Sequence, residues 1–109
     1  MSFVATQSLT AVNIMTDKVN ASDSFAGDLT FHIRGTFVGT ITFWGMVDPG
    51  VVDGDRVALA AENLAGGTKA TTTTAKGLFR VIAAGLHVQL EMTAYTSGTA
   101  LIDLMPSVG

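Results

Sequence analysis

The sequence predicts an all-β protein: a single-domain antiparallel β-sandwich, jelly-roll-like, with about eight strands and a short N-terminal arm. Apolar and polar side chains alternate along Phe31–Val47 and His87–Tyr95, which places them on opposite faces of a strand. Turn residues recur about every ten positions, as in sandwiches, with a small open barrel as the nearest alternative. Helix is expected to be nearly absent, and Val57–Leu64 is the one stretch that could form one. The 109 residues allow one domain with one core.

The predicted domain occupies residues 9–109, and residues 1–8 form the arm. The expected strands are Leu9–Met15, Leu29–Phe37, Thr40–Val47, Arg56–Ala61, Lys69–Ala75, Leu78–Ala83, His87–Tyr95 and Thr99–Met105. Residues 16–28 are rich in Asp, Ser, Asn and Gly and are expected to form a loop. Two connections are predicted to be tight turns, one around Gly39 and one at Ser97-Gly98, because these residue types favour chain reversal.

The composition narrows the range of partners. Hydrophobic residues make up 48% of the chain and charged residues only 14%, so we expect another chain to cover part of the surface. The net charge of -3 argues against nucleic-acid binding, which needs a basic stripe. The chain has no cysteine, which excludes disulfides and thiolate chemistry. The first residues do not have the pattern of a secretory signal, and no apolar run is long enough for a membrane span.

Trp44 is the single tryptophan, and alternation places it on the sheet face opposite Phe43. Three interpretations follow. The second sheet of the sandwich covers this face and Trp44 belongs to the core, or Trp44 anchors a neighbouring subunit, or it stacks on a ligand such as a sugar. The alternation alone does not choose between them.

Two groups of residues resemble metal sites in type but not in spacing. Asp48, Asp53 and Asp55 share a loop, and carboxylates on a turn can bind Ca²⁺. Their spacing does not match a calcium-binding loop, and Asp before Gly is common in turns. His32 and His87 would form a metal or pH-sensitive pair if their strands were neighbours, but two histidines without a third ligand make a poor metal site. We therefore predict no metal and no cofactor.

The sequence also has no recognisable catalytic centre. Glu91 and Asp103 are the carboxylates that could be paired as acid and base, but neither has a sequence context that would shift its pKa. No glycine-rich segment leads into a helix, so a phosphate-binding loop is not expected. The sequence predicts a protein without enzymatic activity.

Three segments carry a resemblance to a known group of proteins: GTFVGTITFWGMVD, TTTTAKGLFRVIAAGL and MTAYTSGTALI. In this order they resemble a small β-sandwich module of tailed-bacteriophage virion proteins, over Phe31–Leu104. The resemblance implies a virion component without enzymatic activity, assembled in the host cytoplasm. The chain departs from the group after Asp48, because many members carry a Gly-Gly-x-x-Trp turn there and this chain has no Trp at that place.

The resemblance and the composition together lead to two hypotheses. In the first, the chain is a capsid decoration (cement) protein that binds the major capsid protein and itself, as a homo-oligomer expected to be a trimer. The arm, Met1–Ser8, would clamp the shell through Phe3 and Val4, and Trp44 and Tyr95 would be interface aromatics. In the alternative, a tail- or fibre-associated module binds a host glycan through Trp44 or Tyr95.

Overall fold

The computed structural model describes residues 6–16, 19–20, 28–48, 50–82 and 86–106. Nine strands lie in these residues: β1 Thr6–Leu9, β2 Val19–Asn20, β3 Asp28–Met46, β4 Val57–Ala58, β5 Ala61–Asn63, β6 Lys69–Ala70, β7 Thr72–Thr73, β8 Gly77–Ile82 and β9 His87–Pro106. Within the described part of the chain the helical content is one 3-10 turn, Asp53–Asp55. The predicted all-β class is confirmed, and Val57–Leu64 is extended rather than helical.

Two long strands, β3 and β9, form the backbone of the fold. They pair antiparallel along almost their whole length, from Leu29 opposite Pro106 to Met46 opposite His87. The other strands join this pair in one antiparallel sheet with the order β1-β9-β3-β8-β5-β6. Three short strands lie off this path: β2 pairs with β9, and β4 and β7 pair with the second half of β3.

The sheet is folded over, so that its two halves face each other across the core. The rings of Phe31 and Phe43 lie in the first and second halves of β3, yet their centroids are 6.4 Å apart. Phe79 of β8 is 5.6 Å from Phe43 and completes an aromatic centre. Around it pack buried aliphatic side chains from both halves, namely Leu9, Leu29, Ile33, Ile41, Val81, Val88, Leu90, Met92 and Ile102.

The prediction of tight turns at Gly39 and at Ser97-Gly98 is wrong. Both sites lie within continuous strands and oppose one another, with Val38 in register with Ser97. The register shifts between Val38 and Gly39 and again between Thr40 and Ile41, as in β-bulges, which bend a strand without ending it. Because β3 and β9 bend side by side, their pairing continues through the corner. Turn-like residues therefore mark a corner of the sheet here, not a hairpin.

Glycines at this corner take backbone conformations that other residues rarely adopt. Gly35 has a φ of +95° and Gly98 a φ of +88°. A Cβ atom added to Gly35 would lie 2.6 Å from the carbonyl oxygen of Thr99, so the two backbones approach more closely than a side chain permits. The corner depends on glycine at both positions.

The N-terminal segment differs from its prediction. The first strand is Thr6–Leu9, which pairs with residues 100–103 of β9 and buries Leu9. The predicted strand Leu9–Met15 is wrong, because the chain turns after Leu9 and Asn13 has a φ of +66°. Residues 6–8, assigned to the arm from the sequence, are thus part of the sheet, and residues 1–5 lie outside the described residues.

Candidate functional site

Trp44 lies on the outer face of the folded sheet, in register with Ala58 of β4 and Gln89 of β9. Its indole Nε1 donates a hydrogen bond of 2.9 Å to Oε1 of Glu91. The guanidinium carbon of Arg56 lies 4.6 Å from the centre of the indole ring, which is the geometry of a cation–π contact. Trp44 is therefore half-buried under an arginine, outside the apolar core cluster.

Arg56 joins several elements in a network on this face. It donates hydrogen bonds of 2.9 Å to Gln89 Oε1 and to Glu91 Oε1, and one of 3.5 Å to the Met15 sulfur. Gln89 in turn donates through Nε2 to the carbonyl oxygen of Thr16, at 2.9 Å. The network connects the N-terminal segment, the loop before β4 and the first part of β9.

The ion pair between Arg56 and Glu91 is removed from solvent, with side-chain exposures of 5% and 8%. Two charges buried in this way are tolerated only when each is paired and hydrogen-bonded, as both are here. The sequence did not reveal this pair, because nothing in the pattern around Arg56 shows that its side chain folds back over the sheet. The position of Arg56 next to a predicted turn does not indicate a buried ion pair either.

Tyr95 has a structural position at the corner of the sheet. Its ring packs against the core cluster, and its hydroxyl donates a hydrogen bond of 2.9 Å to the carbonyl oxygen of Gly98. Tyr95 pairs with Gly39, whereas Trp44 pairs with Gln89 nearer the start of β9, so the two aromatics occupy separate sites. Their interface roles stay predictions, and the other two predicted anchors, Phe3 and Val4, lie outside the described residues.

The structure does not bring the two histidines together. His32 is in register with Leu78 and Asp103, whereas His87 is in register with Asn20 and Met46 at the other end of β9. Nδ1 of His32 is 3.9 Å from Asp103 Oδ2. Among the residues that the structure describes, no group of three or more His, Asp or Glu side chains is arranged to hold a metal ion.

The carboxylates considered as an acid–base pair are also apart. Glu91 is bound to Arg56, while Asp103 accepts hydrogen bonds of 2.6 Å and 3.3 Å from Arg34 on the outer face of the other half of the sheet. The hydrogen bond to Asp103 raises the pKa of Arg34. Each carboxylate therefore forms an ion pair with an arginine.

The loop after β3 combines acidic and apolar residues. Asp48 accepts a 2.8 Å hydrogen bond from the backbone N–H of Gly50, which is ordinary turn geometry. Beside it lies an apolar concavity of about 660 Å³, the valine groove, lined by Gly45, Met46, Val47, Gly50, Val51, Val52, Asp55, Val57, Leu59 and Leu86. Val47, Val52 and Val57 are 75%, 64% and 63% exposed. In the sequence, this groove could have been suspected from the valines that lie in a loop next to Pro and Gly, where polar residues are more usual.

These features place the chain in a class of small antiparallel β proteins built on two long bent strands. A protein derived from the SPBc2 prophage, YomS, has a similar crystal structure, with a TM-score of 0.65. The similarity covers 92% of this chain and 91% of YomS at 18% sequence identity, and it shows a shared fold.

The search of protein-family models and the search of curated proteins gave no match. In the part of the chain that the structure describes, no helix has the length and apolarity needed to span a bilayer.

Proposed function

We propose that this chain is a structural virion protein of a tailed bacteriophage, without enzymatic activity. Its role is that of a capsid decoration protein, which binds the assembled shell as a homo-oligomer and stabilises it by linking neighbouring capsid subunits. Its partners are further copies of itself and the major capsid protein.

The observation that carries this proposal is the fold shared end to end with a prophage-derived protein. At 18% identity this similarity concerns the fold, and the step to a phage function is an inference from it. The inference agrees with the resemblance of three segments of Phe31–Leu104 to phage virion modules. The sequence segments and the fold, compared independently, both support a phage origin.

The surface chemistry supports a role in assembly. Only 14% of the residues are charged, and three valines of the valine groove are more than half exposed. The charged residues that could support chemistry are engaged with one another, Glu91 with Arg56 and Asp103 with Arg34. A sheet with apolar surface and internally paired charges suits contact with other proteins.

The glycan-binding alternative has less support from the geometry. A sugar-binding aromatic uses an open ring face and its polar edge, and in Trp44 Arg56 already covers one face and Glu91 already binds the N–H. Tyr95 uses its hydroxyl within the corner. We therefore propose the decoration role alone.

The test is the copy number of this chain, by quantitative mass spectrometry, in purified particles of the phage or induced prophage that encodes it. Decoration predicts a number comparable to that of the major capsid protein. A handful of copies would contradict decoration and indicate a tail or vertex position. Absence from the particles would overturn the virion proposal itself.

A further inference from the structure

We propose that the valine groove receives a basic, apolar patch from a second copy of this chain, in a head-to-tail contact. This inference rests on the proposed function, because it describes how the copies of the proposed homo-oligomer contact each other. It assigns the two surfaces that meet and predicts that each copy offers one of each.

The groove is apolar inside and acidic outside. Val51, Leu59 and Leu86 are half-buried in its lining, and Val52 and Val57 are exposed beside them. Asp55 lines the groove, and its described lining contains no Lys or Arg. Asp48, exposed at the preceding turn, adds a second negative charge. A partner that fills this groove should present aliphatic side chains with positive charge next to them.

A surface of that chemistry lies on the outer face of β8, and we call it the basic patch. Leu78 and Ile82 are 46% and 68% exposed there, on either side of Arg80. Lys69 and Ile82 line a shallow hollow with Arg80 and Glu62. Arg80 donates a 2.7 Å hydrogen bond to Glu62, so the positive charge of Lys69 is the excess among these three charged residues.

A third cation adds to the excess. Lys76 is exposed immediately before β8, one position ahead of Gly77 and two ahead of Leu78. Among the side chains that the structure describes, the basic patch combines two exposed aliphatic residues with an excess of positive charge, and the valine groove combines exposed valines with negative charge. Opposite charges beside two exposed apolar areas favour association and fix its orientation.

The two surfaces belong to different parts of the molecule. The groove lies at the C-terminal end of β3, at Leu86 just before β9, and along the loop before β4, whereas the patch lies on β8 and on the β6 strand beyond β5. A contact between different patches is heterologous, and such contacts generate closed rings when the rotation between copies closes. A ring also agrees with the trimer expected from the sequence.

The test uses two variants, each of which disables one surface. Val52→Asp places a charge in the groove, and Ile82→Asp places one in the patch. Both residues are well exposed. The matched control is Val38→Asp, because Val38 lies at the corner of the sheet and is 57% exposed. Sedimentation velocity gives the oligomeric state, and a thermal melt of each variant checks that it folds.

The expected result has three parts. The wild-type chain and Val38→Asp form the same oligomer, and each surface variant raises the dissociation constant at least about a hundredfold, as an unpaired buried charge should. A mixture of the two surface variants forms a 1:1 heterodimer, because one intact groove then meets one intact patch. A milder variant, Lys69→Glu, weakens the wild-type oligomer severalfold without touching an apolar contact.

Several outcomes would overturn the inference. These are a monomeric wild type at all concentrations, an unchanged oligomer in either folded surface variant, or a mixture that stays monomeric, which would indicate a symmetric contact instead. The virion proposal is tested separately by copy number. A monomer present in particles at capsid-protein numbers removes this inference alone, and an oligomer absent from particles removes the virion proposal alone.

Discussion

The rings of Phe31 and Phe43 lie 6.4 Å apart although the two residues are twelve positions apart on one strand. An extended strand rises about 3.3 Å per residue, so a straight β3 would separate them by about 40 Å. Their contact means that β3 folds back on itself at the corner. The core of this protein is therefore enclosed by a single sheet whose halves are pressed together.

Phe43→Ala should be among the most destabilising substitutions in the chain. Phe43 is 1% exposed and contacts both Phe31 and Phe79, so its loss opens a cavity between the two halves of the sheet. We expect a loss of about 3–5 kcal/mol in the free energy of unfolding, measured by urea denaturation. Val38→Ala, at an exposed position of the corner, is the control and should change stability by less than about 0.5 kcal/mol. Equal effects of the two would contradict the folded sheet.

Gly35→Ala should destabilise the corner. A φ of +95° alone costs a non-glycine residue about 1–2 kcal/mol, and the added Cβ also meets the carbonyl oxygen of Thr99. Gly66→Ala is the matched control, since a Cβ there meets no atom within 4 Å. Thermal melts should show a lower midpoint for Gly35→Ala and little change for Gly66→Ala. A neutral Gly35→Ala would mean that the corner is built differently.

Glu91→Ala should cost about 3–5 kcal/mol, because it leaves the buried guanidinium of Arg56 without its carboxylate. The exposed pair of Glu62 and Arg80, at 26% and 41% side-chain exposure, supplies the comparison: Glu62→Ala should cost about 1 kcal/mol or less. Replacing Arg56 and Glu91 together by Met and Leu should recover much of the loss. Chemical denaturation of the four proteins measures this, and similar losses for both single variants would show that burial of the pair does not matter.

Trp44 should contribute to stability rather than to sugar binding. Trp44→Phe keeps an aromatic ring under Arg56 but loses the hydrogen bond to Glu91, at a cost of about 1 kcal/mol, and Trp44→Ala should cost more. The free energy of unfolding of the two variants tests this order. Glycan-array binding by the wild type that disappears in Trp44→Phe would instead support the glycan alternative.

The N-terminal clamp is tested by two deletions. Removal of Met1–Ala5 should abolish attachment to capsids and leave the melting temperature unchanged, because β1 begins at Thr6. Removal of Met1–Ser8 should also lower the melting temperature, since it takes three of the four residues of β1 from the sheet. Attachment is measured by co-sedimentation with shells that lack this chain. Full attachment of the shorter deletion would contradict the clamp.

Part of the candidate site was accessible from the sequence. Alternation placed Trp44 opposite Phe43 correctly, because the side-chain period of a strand is fixed by covalent geometry. The partner of Trp44 was not accessible, because Arg56 reaches it from a loop and Glu91 from β9. Contacts between residues so far apart in the chain depend on strand register, which local pattern does not specify.

The sequence by itself determined the β class, many of the extended segments and the faces of the two long strands, since these follow from local periodicity and turn residues. Only the tertiary structure decided that Gly39 and Gly98 lie at a shared corner rather than in two hairpins. A glycine permits either a reversal or a bend, and its own neighbours do not choose between them. The pairing of β3 with β9 favours the bend, because it keeps the backbone hydrogen bonds satisfied through the corner. The bend also lets the two halves of the sheet close over Phe31 and Phe43.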